Sequence, residues 1–490
     1  MKLKILICLV ITLWSARLFS QSTFLSNKPQ NTKKKTQFHQ TIGQVGDAIF
    51  TVSFSDYRLE NGFVLDRYDD QMRFINGREI KMPGKQWILK VFYSDSAICW
   101  ISVVRLRHKM ATIYWNSLDF GLNGIVKSKE CASIDLGDVD EDNFVVNYSP
   151  NRKLWSLVAI YGSASGVKSW MILSDMSGTI LENHIQSLPD KFKLFELNWT
   201  SLVLGNGGEV VGLYEQKRNG FLKSPFPDRK FNTNHYWLRF FKDTLSNGAV
   251  EADGNVLDAA IFSHPQTGKI LIAGYFNTSR SDGIEGYFMQ SFLNAEVLDK
   301  KQFEFTAMQL KQMAGLASIR RQNNPQNYFF RNAVPLTNGG VLFIAEQFYE
   351  SRQMETQYVN GLPQTASRIL YHYGDIALQY CRQDGIIDSL VMLRKTQIGG
   401  INSAQFFGFG MYVCSNSVNI MYNDDEGNIK RVAHIKIDNT FKMESEWLFN
   451  NETSSVAILP YEGRQTEYGM ITIPILKDKQ WFWLQVLSND

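Results

Sequence analysis

Two stretches of this chain could bring carboxylates to a common surface. Gly207-Gly208-Glu209-Val210-Val211-Gly212-Leu213-Tyr214-Glu215-Gln216 and Gly339-Gly340-Val341-Leu342-Phe343-Ile344-Ala345-Glu346-Gln347 each run from a Gly-Gly pair through an apolar strand to a Glu-Gln. A long polar, aromatic-bearing segment follows each, roughly 217–234 and 348–371, and both are expected to be loops. Long loops on a rigid scaffold are where recognition residues gather. Glu215, Gln216, Glu346, Gln347, Phe348 and Tyr349 are therefore the candidate binding residues, with Tyr214 adding a ring to the stacking surface. Two carboxylates ~5–10 Å apart can serve as acid and base, or acid and nucleophile, on a glycosidic bond. Glu215 and Glu346 are the catalytic candidates of that alternative, a glycoside hydrolase or lyase. The plain reading of a Glu-Gln at a strand end is a solvated terminus.

Other chemistries have weaker signals. Asp135, Asp138, Asp140, Asp142 and Asn143 offer side-chain oxygens at alternating positions, as hard Ca²⁺ requires, so Asp138, Asp140 and Asp142 are candidate ligands. The loop departs from the EF-hand pattern, with Asn143 in place of Gly and Ser149 in place of the bidentate Glu. Asn423-Asp424-Asp425-Glu426-Gly427-Asn428 reads chiefly as a turn. Ser174-Asp175-Met176-Ser177-Gly178-Thr179 approaches the Ser-x-Asp-x-Gly turn of sialidases with the wrong spacing, and only once. The chain has no Gly-x-Ser-x-Gly elbow and no phosphate loop. Seven His lack ligand spacing, although His235 and His372 each follow a long segment.

The elements that must position these residues repeat. Two short alternating strands joined by a turn recur at Asn76-Gly77, Asn123-Gly124, Ser177-Gly178, Asn247-Gly248, Asn294-Ala295, Asp384-Gly385 and Asp438-Asn439. Asn-Gly and Asp-Gly suit turns that need φ > 0. The steps between turns are 47, 54, 70, 47, 90 and 54 residues. The short ones match the ~40–50 residues of a propeller blade and the long ones carry insertions. Apolar runs 157–161, 210–214, 270–275 and 341–345 precede the hairpins and read as inner strands buried on both faces. The expectation is an all-β β-propeller of about seven four-stranded blades, six or eight being the alternatives. In an antiparallel meander the loop insertions and a short helical insertion near 305–324, with Leu310, Met313, Ala314 and Ala317 at helical spacing, all fall on one face. Strand signals reach almost to both ends, so C-terminal strands are expected to complete a blade with N-terminal ones and leave no free edge.

Lys2, Lys4 and the apolar run from Ile5 to Trp14 read as a signal peptide over residues 1–20, too short for a membrane helix of ~20 apolar residues. A polar linker (21–40) and one propeller domain (41–490) follow. Removing Lys2, Lys4 and Arg17 lowers the 51 basic residues to 48, against 48 acidic. A neutral chain gives no reason to expect nucleic acid or membrane insertion. The run Lys33-Lys34-Lys35 reads as a solvated tail. The mature cysteines, Cys99, Cys131, Cys381 and Cys414, lack CxxC spacing. Chain neighbours could pair, and four free buried thiols are equally compatible with a chain this long.

The block from Asn338 to Tyr349, then Gly374-Asp375-Ile376-Ala377-Leu378, Asp384-Gly385-Ile386, Lys395-Thr396-Gln397 and Tyr422-Asn423-Asp424, resembles a group of exported bacterial propeller-like proteins of unassigned function. That resemblance implies fold and export and transfers no site; WD40 and kelch landmarks are not matched. The reading is an exported protein, periplasmic, cell-surface or extracellular, that binds or scaffolds a protein or glycan at the cell envelope through long loops on one face. No cofactor is expected beyond the weak calcium signal.

Overall fold

Strand Ala48–Phe54 is buried at every position, whereas Phe74–Ile80, two strands further on, alternates half-buried and exposed residues. The first pattern suits a strand covered on both faces and the second a strand with one face in water. A computed structural model describes residues 22–27, 38–54, 62–82, 86–105, 110–135, 144–163, 166–188, 197–217, 233–242, 244–263, 270–278, 283–293, 296–319, 325–336, 340–359, 362–382, 384–426, 429–449, 456–467 and 469–487. In it this gradient repeats sheet after sheet. Strands are paired antiparallel with their chain neighbours in sheets spanning 38–80, 86–135, 144–187, 197–249, 255–304, 328–393, 410–447 and 456–487. These are eight blades of a β-propeller, all-β with one long helix, and not seven. The seven expected turns fall one to each of the first seven sheets. The eighth escapes because its hairpin turns on Asp478 and Lys479, both at positive φ (49° and 65°) without a glycine.

The blades belong to two compact units, residues 83–401 and, in the other, those up to Met82 together with those from Asn402. In the first unit the opening strands of neighbouring sheets touch in series: Gln86–Tyr93, Phe144–Tyr148, Leu197–Leu204, Asn255–Ser263 and Tyr328–Pro335. The apolar runs expected to be inner strands are therefore the second strands, sealed between neighbours. Trp155, Leu157 and Trp170 of one blade pack with Ile101 and Ile113 of the preceding one, and Phe343 packs with Tyr275 and Tyr287. Each fully buried side chain of this kind stabilises by ~1.5–3 kcal/mol. In the second unit, Ile471, Ile473 and Leu484 close on Tyr412 and Met421, and Trp483 packs on Ile49 and Tyr68.

The last blade is finished by the front of the chain, as expected, but by residues that the polar linker (21–40) was expected to cover: Ser22–Leu25 is a strand and the first sheet already begins at Phe38. Ser22–Leu25 pairs with Gln480–Leu487 as the outermost strand, and Trp483 N donates to Ser26 Oγ at 3.0 Å. Four of the seven expected turns are turns, at Gly124, Gly178, Gly385 and Asp438. Asn76-Gly77 and Asn247-Gly248 instead lie inside outer strands, with Gly77 opposite Asp66 and Gly248 opposite Trp237. A Cβ at Gly248 would come 2.6 Å from the Trp237 ring, so glycine is there for close approach and not for turning. Asn294-Ala295 lies outside the described residues.

The helical insertion is a helix, Ala307–Ile319. Thr306 and Gln309 form its capping box: Thr306 N donates to Gln309 Oε1 at 2.8 Å and Gln309 N to Thr306 Oγ1 at 3.3 Å. Met313 is buried in the core of its unit, and Gln312 Nε2 donates to Leu390 O at 2.8 Å. The segment expected as a loop over 348–371 is not one. Val341–Val359 and Leu362–Cys381 pair along their whole length, joined by Asn360-Gly361 in the sequence. No proline or glycine interrupts 348–359, and Asn-Gly is the strongest short hairpin signal. The other expected loop lies mostly in 218–232, outside the described residues.

Candidate functional site

The two Glu-Gln motifs occupy equivalent strands, each the second of its sheet, yet have different surroundings. Glu215 is opposite His235 on the neighbouring strand, its Oε1 3.8 Å from His235 Nδ1, with the carboxylate partly exposed and the imidazole buried. The side chain of Gln216 lies outside the described residues. Tyr214 is fully buried, so it forms no stacking surface.

Glu346 is 0 % exposed, and this corrects the expectation of an open rim carboxylate. Two irregularities of the sheet converge on it. Register shifts occur between Phe330 and Asn332 and between Glu346 and Phe348, the second opposite Gly374-Asp375. Such bulges re-aim side chains. Arg331 Nε comes 3.3 Å from Glu346 Oε2, and Lys395 Nζ 2.8 Å from Oε1. Lys395 also donates to Gln397 Oε1 at 3.0 Å and lies 5.8 Å from the Tyr373 ring centroid. Burial holds the ammonium below the usual lysine range, and Glu346 pulls in the opposite direction. Lys395 N donates to Asp375 Oδ1 at 3.2 Å, and Arg394 pairs with the same carboxylate. Glu346, Asp375, Lys395 and Gln397, which belong to the block that resembles the exported group, thus form one cluster, with Glu346, Lys395 and Gln397 buried and Asp375 half-buried at its margin. Asn423 of the same block is structural too: Nδ2 donates to Phe406 O and Ile458 O, and Oδ1 accepts from Ile458 N.

Glu215 and Glu346 therefore lie in separate sheets, each facing basic groups of its own sheet. Among the described residues no group of three or more His, Cys, Asp or Glu could hold a metal ion. Asp138, Asp140 and Asp142 lie outside them. The thiols have local neighbours instead of one another. Cys99 Sγ is 3.8 Å from Ser94 Oγ, Cys381 Sγ 3.9 Å from Tyr287 Oη, and Cys414 Sγ accepts from Asn419 Nδ2. Cys131 is on the fourth strand of the sheet whose second strand holds Cys99. Burial pushes the Cys99 and Cys381 thiols up to about 11.

Just beyond the cluster the 341–381 hairpin leaves its sheet. The first strand of that sheet stops pairing at Tyr328–Gln347, and Gln397–Gly399 pairs only with Tyr371–Tyr373. From Glu350 to Leu370 the two strands pair with each other alone among the described residues. This arm is rooted in aromatics. Phe348 packs on Tyr373 (centroids 4.8 Å apart) and stacks with Tyr371 (6.4 Å), and Tyr349 stacks on His372 at 4.3 Å. Ser351 Oγ is 2.7 Å from His372 Nε2. Further out Met354 and Ile369 are exposed. The signal for this arm was available in Asn360-Gly361, flanked by strand-forming residues on both sides.

No protein-family model matches the chain, and comparison with curated proteins gives no match. Comparison with solved structures does give matches. They include the WD40 domain of SCAP from fission yeast, at 10 % identity and TM-score 0.38 over 96 % of this chain and 98 % of that one. Sqt1 from Chaetomium thermophilum matches at 10 % identity and TM-score 0.41, covering 94 % and 98 %. A prolyl endopeptidase matches at 7 % identity and TM-score 0.41, and the match covers 90 % of this chain but 55 % of that one.

Proposed function

We propose that this protein is an exported binding or scaffolding propeller of the cell envelope, and that the 348–373 arm is the element that engages a protein partner. The observation that supports this is the paired hairpin leaving its sheet with both edges unpaired over Glu350–Leu370 among the described residues, above an aromatic root that includes Phe348 and Tyr349. Open strand edges are templates for another chain, and strand addition is a recurrent mode of peptide recognition. Glu350, Arg352 and Arg368 along the arm are the kind of charges that restrain unspecific edge pairing while leaving a specific partner free to dock. Glu346 serves this reading as the buried anchor of the arm and not as a catalytic acid.

The test shortens the arm, replacing residues 349–372 by Asn-Gly so that Phe348 and Tyr373 flank a two-residue turn. The shortened protein is expected to keep its unfolding midpoint within a few degrees and to lose the partner that the full chain captures by crosslinking in envelope extracts. Capture of the same partner by the shortened protein overturns the proposal.

A further inference from the structure

The unit 83–401 holds a cleft away from the arm, between the sheets 86–135 and 144–187. It is framed by their tight turns, the end of a meander opposite to the one from which the arm leaves. Its volume is about 850 Å³, within the range of small-molecule sites. One wall is the indole of Trp115, on strand Met110–Asp119. The turn of the next sheet presses against it, since a Cβ at Gly178 would come 2.8 Å from Trp115 Cγ. Exposed Ile125 extends the apolar surface.

Opposite stands Arg152, in a turn at φ 54°, unusual for a residue with a side chain. Its guanidinium lies 3.7 Å from the Tyr93 ring centroid and 5.4 Å from that of Tyr148, so its flat face is covered and its edge is left to donate. Arg152 Nη1 and Trp115 Nε1 are both buried donors without a hydrogen-bond partner. Both atoms are themselves shielded from solvent, so what Arg152 presents to the cleft is the remainder of its half-buried side chain. Lys127 and Lys153 add positive charge against Asp95 and Asp119, the latter accepting from Gly124 N at 2.8 Å in its own turn, so that with Arg152 the basic groups of the lining outnumber the acidic ones.

We infer that this cleft binds an acidic saccharide, a uronate-bearing oligosaccharide whose ring lies on Trp115 and whose carboxylate meets Arg152. The indole offers a flat apolar face to a sugar ring, and a guanidinium stacked on an aromatic ring is held in place for a two-pronged bond to a carboxylate. The inference rests on the binding-module reading but uses a different place in the molecule.

The experiment is calorimetric titration of the full chain with trigalacturonate and with its neutral galactose counterpart. Trigalacturonate is expected to bind, the neutral sugar at least about tenfold more weakly. Arg152→Gln and Trp115→Ala should each weaken trigalacturonate by about tenfold or more with arm-mediated capture intact; Arg152→Gln should keep its unfolding midpoint near wild type, whereas Trp115→Ala removes a ring packed against the core and is titrated below its lowered midpoint. Arg152→Lys keeps the charge, loses the fork and should fall between. The shortened-arm protein should bind trigalacturonate like wild type, which separates failure at the cleft from failure of the arm. The inference is overturned if trigalacturonate fails to bind at millimolar concentration, if both sugars bind alike, if Arg152→Gln binds unchanged, or if an oligoglutamate peptide binds through Arg152 in its place.

Discussion

Lys395→Met tests whether the buried charge cluster anchors the arm. Lys395 and Glu346 have side chains 1 % and 0 % exposed, 2.8 Å apart. Breaking such a pair from one side costs ~3–5 kcal/mol, because the surviving charge stays buried without its partner. Arg331 still meets the other carboxylate oxygen at 3.3 Å and is 30 % exposed, so the low end, ~3 kcal/mol, applies. Domains of 150–250 residues lose ~2–4 °C per kcal/mol. The 83–401 unit is larger, so a fall of about 6 °C is expected. Glu346→Gln/Lys395→Met removes both charges and should recover most of that loss, with a coupling of ~2 kcal/mol. Thermal unfolding followed by calorimetry, with urea midpoints at constant m, reads all of these. Lys395→Met unfolding within about 1 °C of wild type, or a double variant whose loss equals the sum of the single losses, refutes the reasoning. The pH dependence has a definite sign. The folded ammonium binds its proton less readily than a free lysine, so its cost is fully present below the folded pKa. That cost fades as pH rises toward the 10.5 of free lysine, and wild type gains on Lys395→Met over that alkaline window.

His39 makes the opposite end of the pH scale informative. Burial holds its imidazole down to about 3 from 6.5, so protonation favours unfolding. The resulting loss begins as pH falls below 6.5, reaches ~3 kcal/mol at pH 4 and levels off near 3. His39→Gln should lose ~3 kcal/mol less than wild type between pH 7 and 4, and equal losses in urea titrations count against it. Asp478→Asn/Lys479→Gly supplies the residues that a turn with two positive φ angles prefers, and should raise stability by ~1 kcal/mol. An unchanged or lower midpoint would show that these angles carry no strain. Together with the shortened arm and the Arg152 variants, these measurements cover both units.

The repeat was legible because blade strands alternate and glycine marks many of their turns. It was miscounted because Asp478-Lys479 turns without a glycine, and some turns were misplaced because glycine also serves close approach, as Gly248 against Trp237. The helix was readable from its spacing, whereas the arm was hidden by reading polar content as loop. Polar residues in a two-stranded ladder exposed on both faces follow no hydrophobic alternation. The sites were less legible still. Glu215 and Glu346 are alike in sequence, but bulges and Lys395, 49 residues downstream, decide that Glu346 is buried. Trp115 and Arg152 are on neighbouring sheets, and no spacing rule connects them.

The pairing of Ser22–Leu25 with Gln480–Leu487 has a consequence for how the chain is made. Ser26 and Trp483 are 457 positions apart, so this contact cannot form until Trp483 has been made. Through elongation the nascent chain holds one early strand in reserve, and the final blade would otherwise end on an open edge. Long-range pairing of this kind is slow and exposes edges while it waits. A premature stop before Met470 would remove both Met470–Lys477 and Gln480–Leu487, leaving Ser22–Leu25 without its strand partner. Completion of the last blade is therefore a check that translation has passed Leu487: only a chain that carries both strands can close this sheet.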